Sequence, residues 1–330
     1  MKRIALFCPG RGSYTEKQLR SLPENEPWVA RADELRAEYG LPSLSELDRA
    51  SKFSAALHLR PANVSLLIWL VTMLDSRDAL AQDECVALGG NSMGWYTALG
   101  VSGALSFDDG FRLVQEMALL QEQHAGGGQI LYPLIDDEWR IDPERVQLVR
   151  AALESSAGQA LRSIELGGFA VLAGTEAGVA HLLKTLPQAK LGANTYPFRL
   201  MQHGAYHTPF VAAVSERAFQ TLRRLEFRAP RVTLIDGRGV RFTPWSTDVE
   251  ALVDYTLGAQ VVEPYDFTLS VRVALREYAP EQIVLPGPGN TLGGICGQIA
   301  CAEGWRGLRA KPDFEALQRG DAPLVRSMRR

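Results

Sequence analysis

Along the chain, short runs of apolar residues alternate with longer stretches whose apolar positions recur every three or four residues. The first pattern reads as buried strands and the second as helices packed on one face. "RIALFC" (3–8) is a strand closed by the glycine-rich "PGRGSY". From about 15 to 80 the spacing is helical, clearest in "EPWVARADELRAEYG" and in "LHLRPANVSLLIWLVTML", where Asp75 closes the apolar run. "CVALGG" (85–90) is a strand, and helical spacing resumes at Gly94. Ser106 with Asp109 three residues on resembles a capping box opening a helix through "FDDGFRLVQEMALLQEQ", and "HAGGG" (124–128) breaks it.

Between about 127 and 200 the order changes. "QILYPLI" reads as a strand, "DPERVQLVRAALESS" as a helix, and "SIELGGFAVLAG" as two strands about a Gly-Gly turn. "TEAGVAHLLKTLP" is a second helix and "NTYPFRLM" a last strand. This β-α-β-β-α-β order is the ferredoxin-like pattern, inserted as a subdomain (127–200) that packs on a larger domain (1–126 and 201–330) and makes a cleft with it. In the larger domain strands and helices alternate, which predicts an α/β fold with a mainly parallel sheet covered on both faces. The basic end "RSMRR" reads as solvated.

Composition narrows the function classes. With 330 residues, 46% of them hydrophobic, the chain can bury a large core, and a net charge of −3 argues against sequence-blind nucleic-acid binding. The longest apolar stretch, "VSLLIWLVTML" (64–74), falls short of the roughly 20 residues of a membrane helix, and "MKRIALFCPG" is too short for a signal peptide. Cys8, Cys85, Cys296 and Cys301 lack paired metal spacing and the five histidines are scattered. The expectation is a cytoplasmic protein with reduced thiols, no metal and no membrane or nucleic-acid partner.

The candidate chemistry lies in "ALGGNSMGWYTALG" (87–100). A G-x-S-x-G between strand and helix projects a serine hydroxyl on a sharp turn, beside the unpaired N–H groups of the helix start. Ser92 is therefore either a nucleophile or a plain helix cap. Three loops bear on that choice: "FCPGRGSY" (7–14) after the first strand, "QHGAYHTPF" (202–210) carrying His207, and "VLPGPGNTLGG" (284–294).

In their order, "CPGRGS", "GNSMGW", "GAYH" and "GPGN" resemble the malonyl-CoA:acyl-carrier-protein transacylase family and the acyltransferase domains of polyketide synthases. The resemblance covers nearly the whole chain and implies an α/β-hydrolase-like large domain. It also implies ping-pong acyl transfer between a coenzyme A thioester and the phosphopantetheine thiol of an acyl carrier protein, in fatty-acid or polyketide biosynthesis. On this reading Ser92 is the nucleophile and His207 the general base, titrating near neutrality and oriented by backbone carbonyls. The backbone N–H groups of Met93 and Arg11 form the oxyanion hole. No tightly bound cofactor is implied.

The departures from the family concern specificity. A gap-free match places Met117 where malonyl-loading members carry a carboxylate-binding arginine. Arg11 and Arg60 replace family glutamines and either return positive charge to the pocket, bind coenzyme A phosphates or do neither. Asp266 replaces a third glutamine and Tyr206 a phenylalanine. Asn91 and Trp95 stand for the family's His and Glu, Trp95 narrowing the acyl pocket or packing as core. Asn290, in "GPGN", completes the expected substrate-binding set. Unless Arg11 or Arg60 reaches the carboxylate position, a monocarboxylic acyl group is expected to load faster than malonyl. An acyl hydrolase of the same fold, editing carrier-protein or coenzyme A thioesters, is the main alternative. An inactive carrier-protein binder and a lipase are weaker ones.

Overall fold

The computed structural model describes residues 1–329. Its main sheet begins with β1 (Arg3–Cys8), whose side chains from Ile4 onward are wholly buried. β1 sits centrally, flanked by parallel partners β2 (Glu84–Gly90) and β10 (Gln282–Leu285). Outward from β2 lie β7 (Leu234–Ile235), parallel, and β8 (Arg241–Phe242), antiparallel; outward from β10 lies β11 (Val325–Ser327), parallel. A parallel sheet is covered on both faces, so its strands read as unbroken apolar runs, as "RIALFC" does.

The main covering helix, α1 (Pro61–Gln82), has proline in its first turn and is buried on every side through Ser76. A helix apolar all round belongs inside a protein. The helix runs seven residues past Asp75, to Gln82. The Asp75 carboxylate receives Arg329 in a two-point ion pair (2.8–3.0 Å) and accepts from the Gly287 N–H at 3.0 Å. Arg326 likewise pairs with Asp83 at 2.7 Å. The basic end is thus held rather than solvated as far as Arg329, because its charges find carboxylates about 250 residues away in sequence; Arg330 lies outside the described residues. Asp75→Ala would strand the Arg329 charge and the Gly287 N–H together, and a loss of about 2 kcal/mol is expected. A urea denaturation midpoint measures it.

Three further helices shape the site or its surroundings. α2 (Gly94–Val101) follows β2, and α3 (Phe107–His124) packs on both α1 and α2. Ser106 caps α3 through the Asp109 N–H. The reciprocal contact differs from a capping box, since the Ser106 hydroxyl, not its backbone N–H, donates to the Asp109 carboxylate. Arg36, on the helix Pro27–Glu38, is fully buried and donates only to uncharged oxygens, those of Pro42, Ala62, Asn63 and Gln115. It ties α1 to α3.

The second sheet contains β3 (Gly128–Pro133), β4 (Ala160–Leu166), β5 (Phe169–Gly174) and β6 (Phe198–Arg199) in the order β4-β5-β3-β6, each pair antiparallel. Helices Pro143–Glu154 and Glu176–Thr185 supply the crossovers. The stretch "NTYPFRLM" is split: Asn194–Tyr196 pairs with Ala189–Leu191, and only Phe198–Arg199 joins β3. A fifth strand, β9 (Tyr265–Asp266), adds to β4 from outside the 127–200 stretch.

Candidate active site

Ser92 occupies the turn between β2 and α2 with φ +54°, in the left-handed region. The glycines around it answer contacts. A Cβ on Gly90 would strike the backbone of Gly94, and one on Gly94 would strike the Cys8 carbonyl at the end of β1. The turn is therefore tight because β1 and α2 pack directly across it. Gly94, Trp95 and Tyr96 donate back to Asn91, Ser92 and Met93. Among the described residues, the backbone N–H groups of Met93 and Arg11 are donated to no protein acceptor, as expected of donors at a helix start or an open loop.

His207 enters from the loop after the second sheet. Its Nε2 lies 2.7 Å from Ser92 Oγ, and its Nδ1 lies 2.7 Å from the Gln260 carbonyl. A carbonyl only accepts, so Nδ1 carries the proton and Nε2 is left as acceptor for the serine O–H. The backbone N–H of His207 donates to the Val261 carbonyl at 3.0 Å. These carbonyls are free because the helix from Val249 widens into a π-turn over Tyr255–Ala259 and ends at Val262, exposing its last C=O groups. The Gln260 side chain adds two bonds: Nε2 donates to the Ser92 carbonyl (3.1 Å), and Oε1 accepts from the Tyr96 hydroxyl (2.5 Å).

The small sheet holds the same loop from behind. Ser163 Oγ on β4 donates to the Tyr206 carbonyl at 2.8 Å, and the Gln129 amide on β3 bonds Ser163 Oγ and His203 Nδ1. His203 thus braces the loop.

A small pocket surrounds the pair. Arg11, Met93, Tyr96, Gln121, Tyr206 and Gln260 line it with Ser92 and His207. None of these residues comes from the 127–200 stretch, which acts on the site by bracing the His207 loop rather than by walling the pocket. The Arg11 guanidinium lies 4.5 Å above the Tyr206 ring.

Other expected substrate contacts stand elsewhere. Met117 is 1% exposed and belongs to the apolar core under α3; Gln121, one turn later, is the α3 residue that reaches the pocket. Trp95 is fully buried against Tyr255 and donates its indole N–H to Thr256, so it is core rather than pocket wall. The Asp266 carboxylate caps the helix Phe267–Val273 through the Leu269 N–H. Asn290 accepts from the Ser327 hydroxyl, in a loop that lies against Phe7 and Pro9. Arg60 flanks a neighbouring depression, with its charge paired to Glu122 at 2.9 Å.

Burial pulls the His207 pKa down to about 4; the Gln260 carbonyl opposes that shift and the Arg11 charge adds to it. This corrects the expectation of an ionisation near neutrality, since His207 is neutral and able to accept a proton well into the acid range. If the neutral imidazole is required, acylation stays flat from pH 8 to about pH 5 and falls with a midpoint near 4, not 6.5. Rapid pH-jump acylation assays measure this limb. Short exposures are needed because the unfolded imidazole titrates near 6.5. As pH drops from there to about 4, the unfolded chain takes up a proton that the folded chain refuses, and stability falls through that window.

No protein-family model matches the chain. The malonyl CoA-acyl carrier protein transacylase of Haemophilus influenzae is 23% identical over 307 residues, covering 91% of this chain and 93% of its own. That of Bacillus subtilis is 24% identical over 306 residues, covering 91% of each. Over nine-tenths of its length this chain is similar to those transacylases. Polyketide synthase GfsE of Streptomyces halstedii matches 74% of the chain at 26% identity, within only 6% of its own length. The fold agrees: a Burkholderia pseudomallei malonyl CoA-acyl carrier protein transacylase superposes with a TM-score of 0.76 at 19% identity, covering 91% of this chain and 98% of its own. The acyltransferase domain from the second module of the salinomycin polyketide synthase gives 0.74 at 21% identity, covering 100% of this chain and 69% of its own.

Proposed function

We propose that the protein is an acyltransferase that moves an acyl group from a coenzyme A thioester to an acyl carrier protein, in fatty-acid or polyketide biosynthesis. The observation that carries this reading is the 2.7 Å contact of Ser92 Oγ with His207 Nε2 on the strand–helix turn, with Nδ1 held by the Gln260 carbonyl. His207 Nε2 takes the hydroxyl proton as Oγ attacks the thioester carbonyl, and the oxyanion forms against the N–H groups of Met93 and Arg11. The C–S bond breaks, the proton passes to the departing coenzyme A sulfur, and the acyl group remains as a Ser92 ester. The phosphopantetheine thiol of the carrier protein then repeats the sequence in reverse. Residues 127–200 serve as a subdomain that fixes the His207 loop. The coenzyme A thioester enters as substrate, and the chemistry calls on no resident cofactor.

The competing outcome is hydrolysis, in which water takes the acyl group. Release of coenzyme A from a panel of acyl-CoAs, followed with and without holo carrier protein, separates the two. Strong stimulation by the carrier protein, with acyl-carrier protein as product, is expected. Equal release in both, with free acid as product, would identify a hydrolase.

A further inference from the structure

The pocket around Ser92 contains a positive charge that the protein does not neutralise. Arg11 Nη1 is sealed from solvent and has no hydrogen-bond partner. Among the described residues, no carboxylate lies within ion-pair distance of it, whereas Arg60 is already paired with Glu122. Stacking on Tyr206, whose successor is His207, holds the guanidinium at the pocket lining. Arg11 as a whole is half-buried, and a charge there without an ionic partner is stabilised when a ligand brings the counter-charge. The planar fork of arginine matches a carboxylate at two points.

The position limits what the counter-charge can be. Arg11 and Ser92 line one small pocket. Once a thioester carbonyl meets Ser92, the phosphates of coenzyme A lie at the far end of the uncharged pantetheine arm. The group close to Arg11 is then the acyl group itself.

We propose that Arg11 is the specificity residue of this site, pairing with a free carboxylate at the end of a short acyl group so that Ser92 takes carboxyacyl groups ahead of uncharged ones. This rests on the acyl-transfer reading above. It takes up the exception left open with Met117: the charge absent from α3 is supplied by Arg11, from the loop after β1. The carboxylate is bound, not transformed, so the covalent steps are unchanged.

The test compares Ser92 acylation by malonyl-CoA with that by acetoacetyl-CoA, which puts a methyl ketone where malonyl has its carboxylate. Taking the ratio of the two rates cancels any general change in the nucleophile. The native protein is expected to favour malonyl. Arg11→Gln should lower the malonyl-to-acetoacetyl ratio by about tenfold or more, and Arg11→Lys should restore part of it. A ratio that stays within about twofold of native in Arg11→Gln, or a native preference for acetoacetyl, overturns the inference while leaving acyl transfer intact. Failure of the native protein to form any acyl-enzyme overturns the functional reading, and the inference with it.

Discussion

Ser92→Ala should abolish the covalent acyl-enzyme and lower transfer by on the order of 10⁵–10⁶, the loss seen when a serine hydrolase loses its nucleophile. Among the described residues no other hydroxyl lies against His207 Nε2, so no neighbouring group inherits the attack. The fold should survive. Among the described residues the hydroxyl's one side-chain partner is His207, and alanine meets the φ of +54° about as well as serine does. A stability change within about 1 kcal/mol is expected. Intact-mass analysis after incubation with acyl-CoA reads the first claim and a denaturation midpoint the second. An acyl adduct of native yield on the alanine variant would show that another residue carries the acyl group.

His207→Ala is the second large effect, with acylation expected to fall by about 10²–10⁴. Without the imidazole the Ser92 hydroxyl must lose its proton to water, and the Gln260 carbonyl loses its partner. That carbonyl lies beside the pocket, where water can take over part of the bond. His203→Ala gives the contrast. Its ring bonds Gln129 and not Ser92, so the fall should be at most a few-fold, arising from a looser His207 loop. Single-turnover acylation rates of the two variants measure the difference. Equal losses would remove the distinction between base and brace.

Part of this site is legible in the sequence because local contacts dictate it. Gly90 and Gly94 are required wherever β1 and α2 close on a turn, and that requirement shows as G-x-S-x-G. His207 is legible only through the neighbouring "GAYH" and its resemblance. Gln260 carries no signal of its own. Its role comes from a π-turn and a helix end that free one carbonyl, 53 residues from the imidazole it binds.

The substrate wall misleads for a different reason. Counting residues without a gap assigns Met117 to the family's arginine position, but which side of α3 faces the pocket depends on how α3 packs on α1 and α2. That packing turns Met117 inward and Gln121 outward. Trp95 reads as a bulky pocket residue for want of its partners Tyr255 and Thr256, some 160 residues on. The strand order β4-β5-β3-β6 follows the β-α-β-β-α-β reading, whereas the addition of β9 has no local sign.

The most direct test of the account isolates the acyl-enzyme and follows where its acyl group goes. The protein is loaded from acyl-CoA, freed of small molecules, and divided between buffer and holo carrier protein, with intact masses of both proteins read over time. The account predicts an ester mapped to Ser92 that persists in buffer and passes to the phosphopantetheine thiol as the adduct disappears. Loss of the adduct at the same rate in both samples, with free acid as the product, would contradict it.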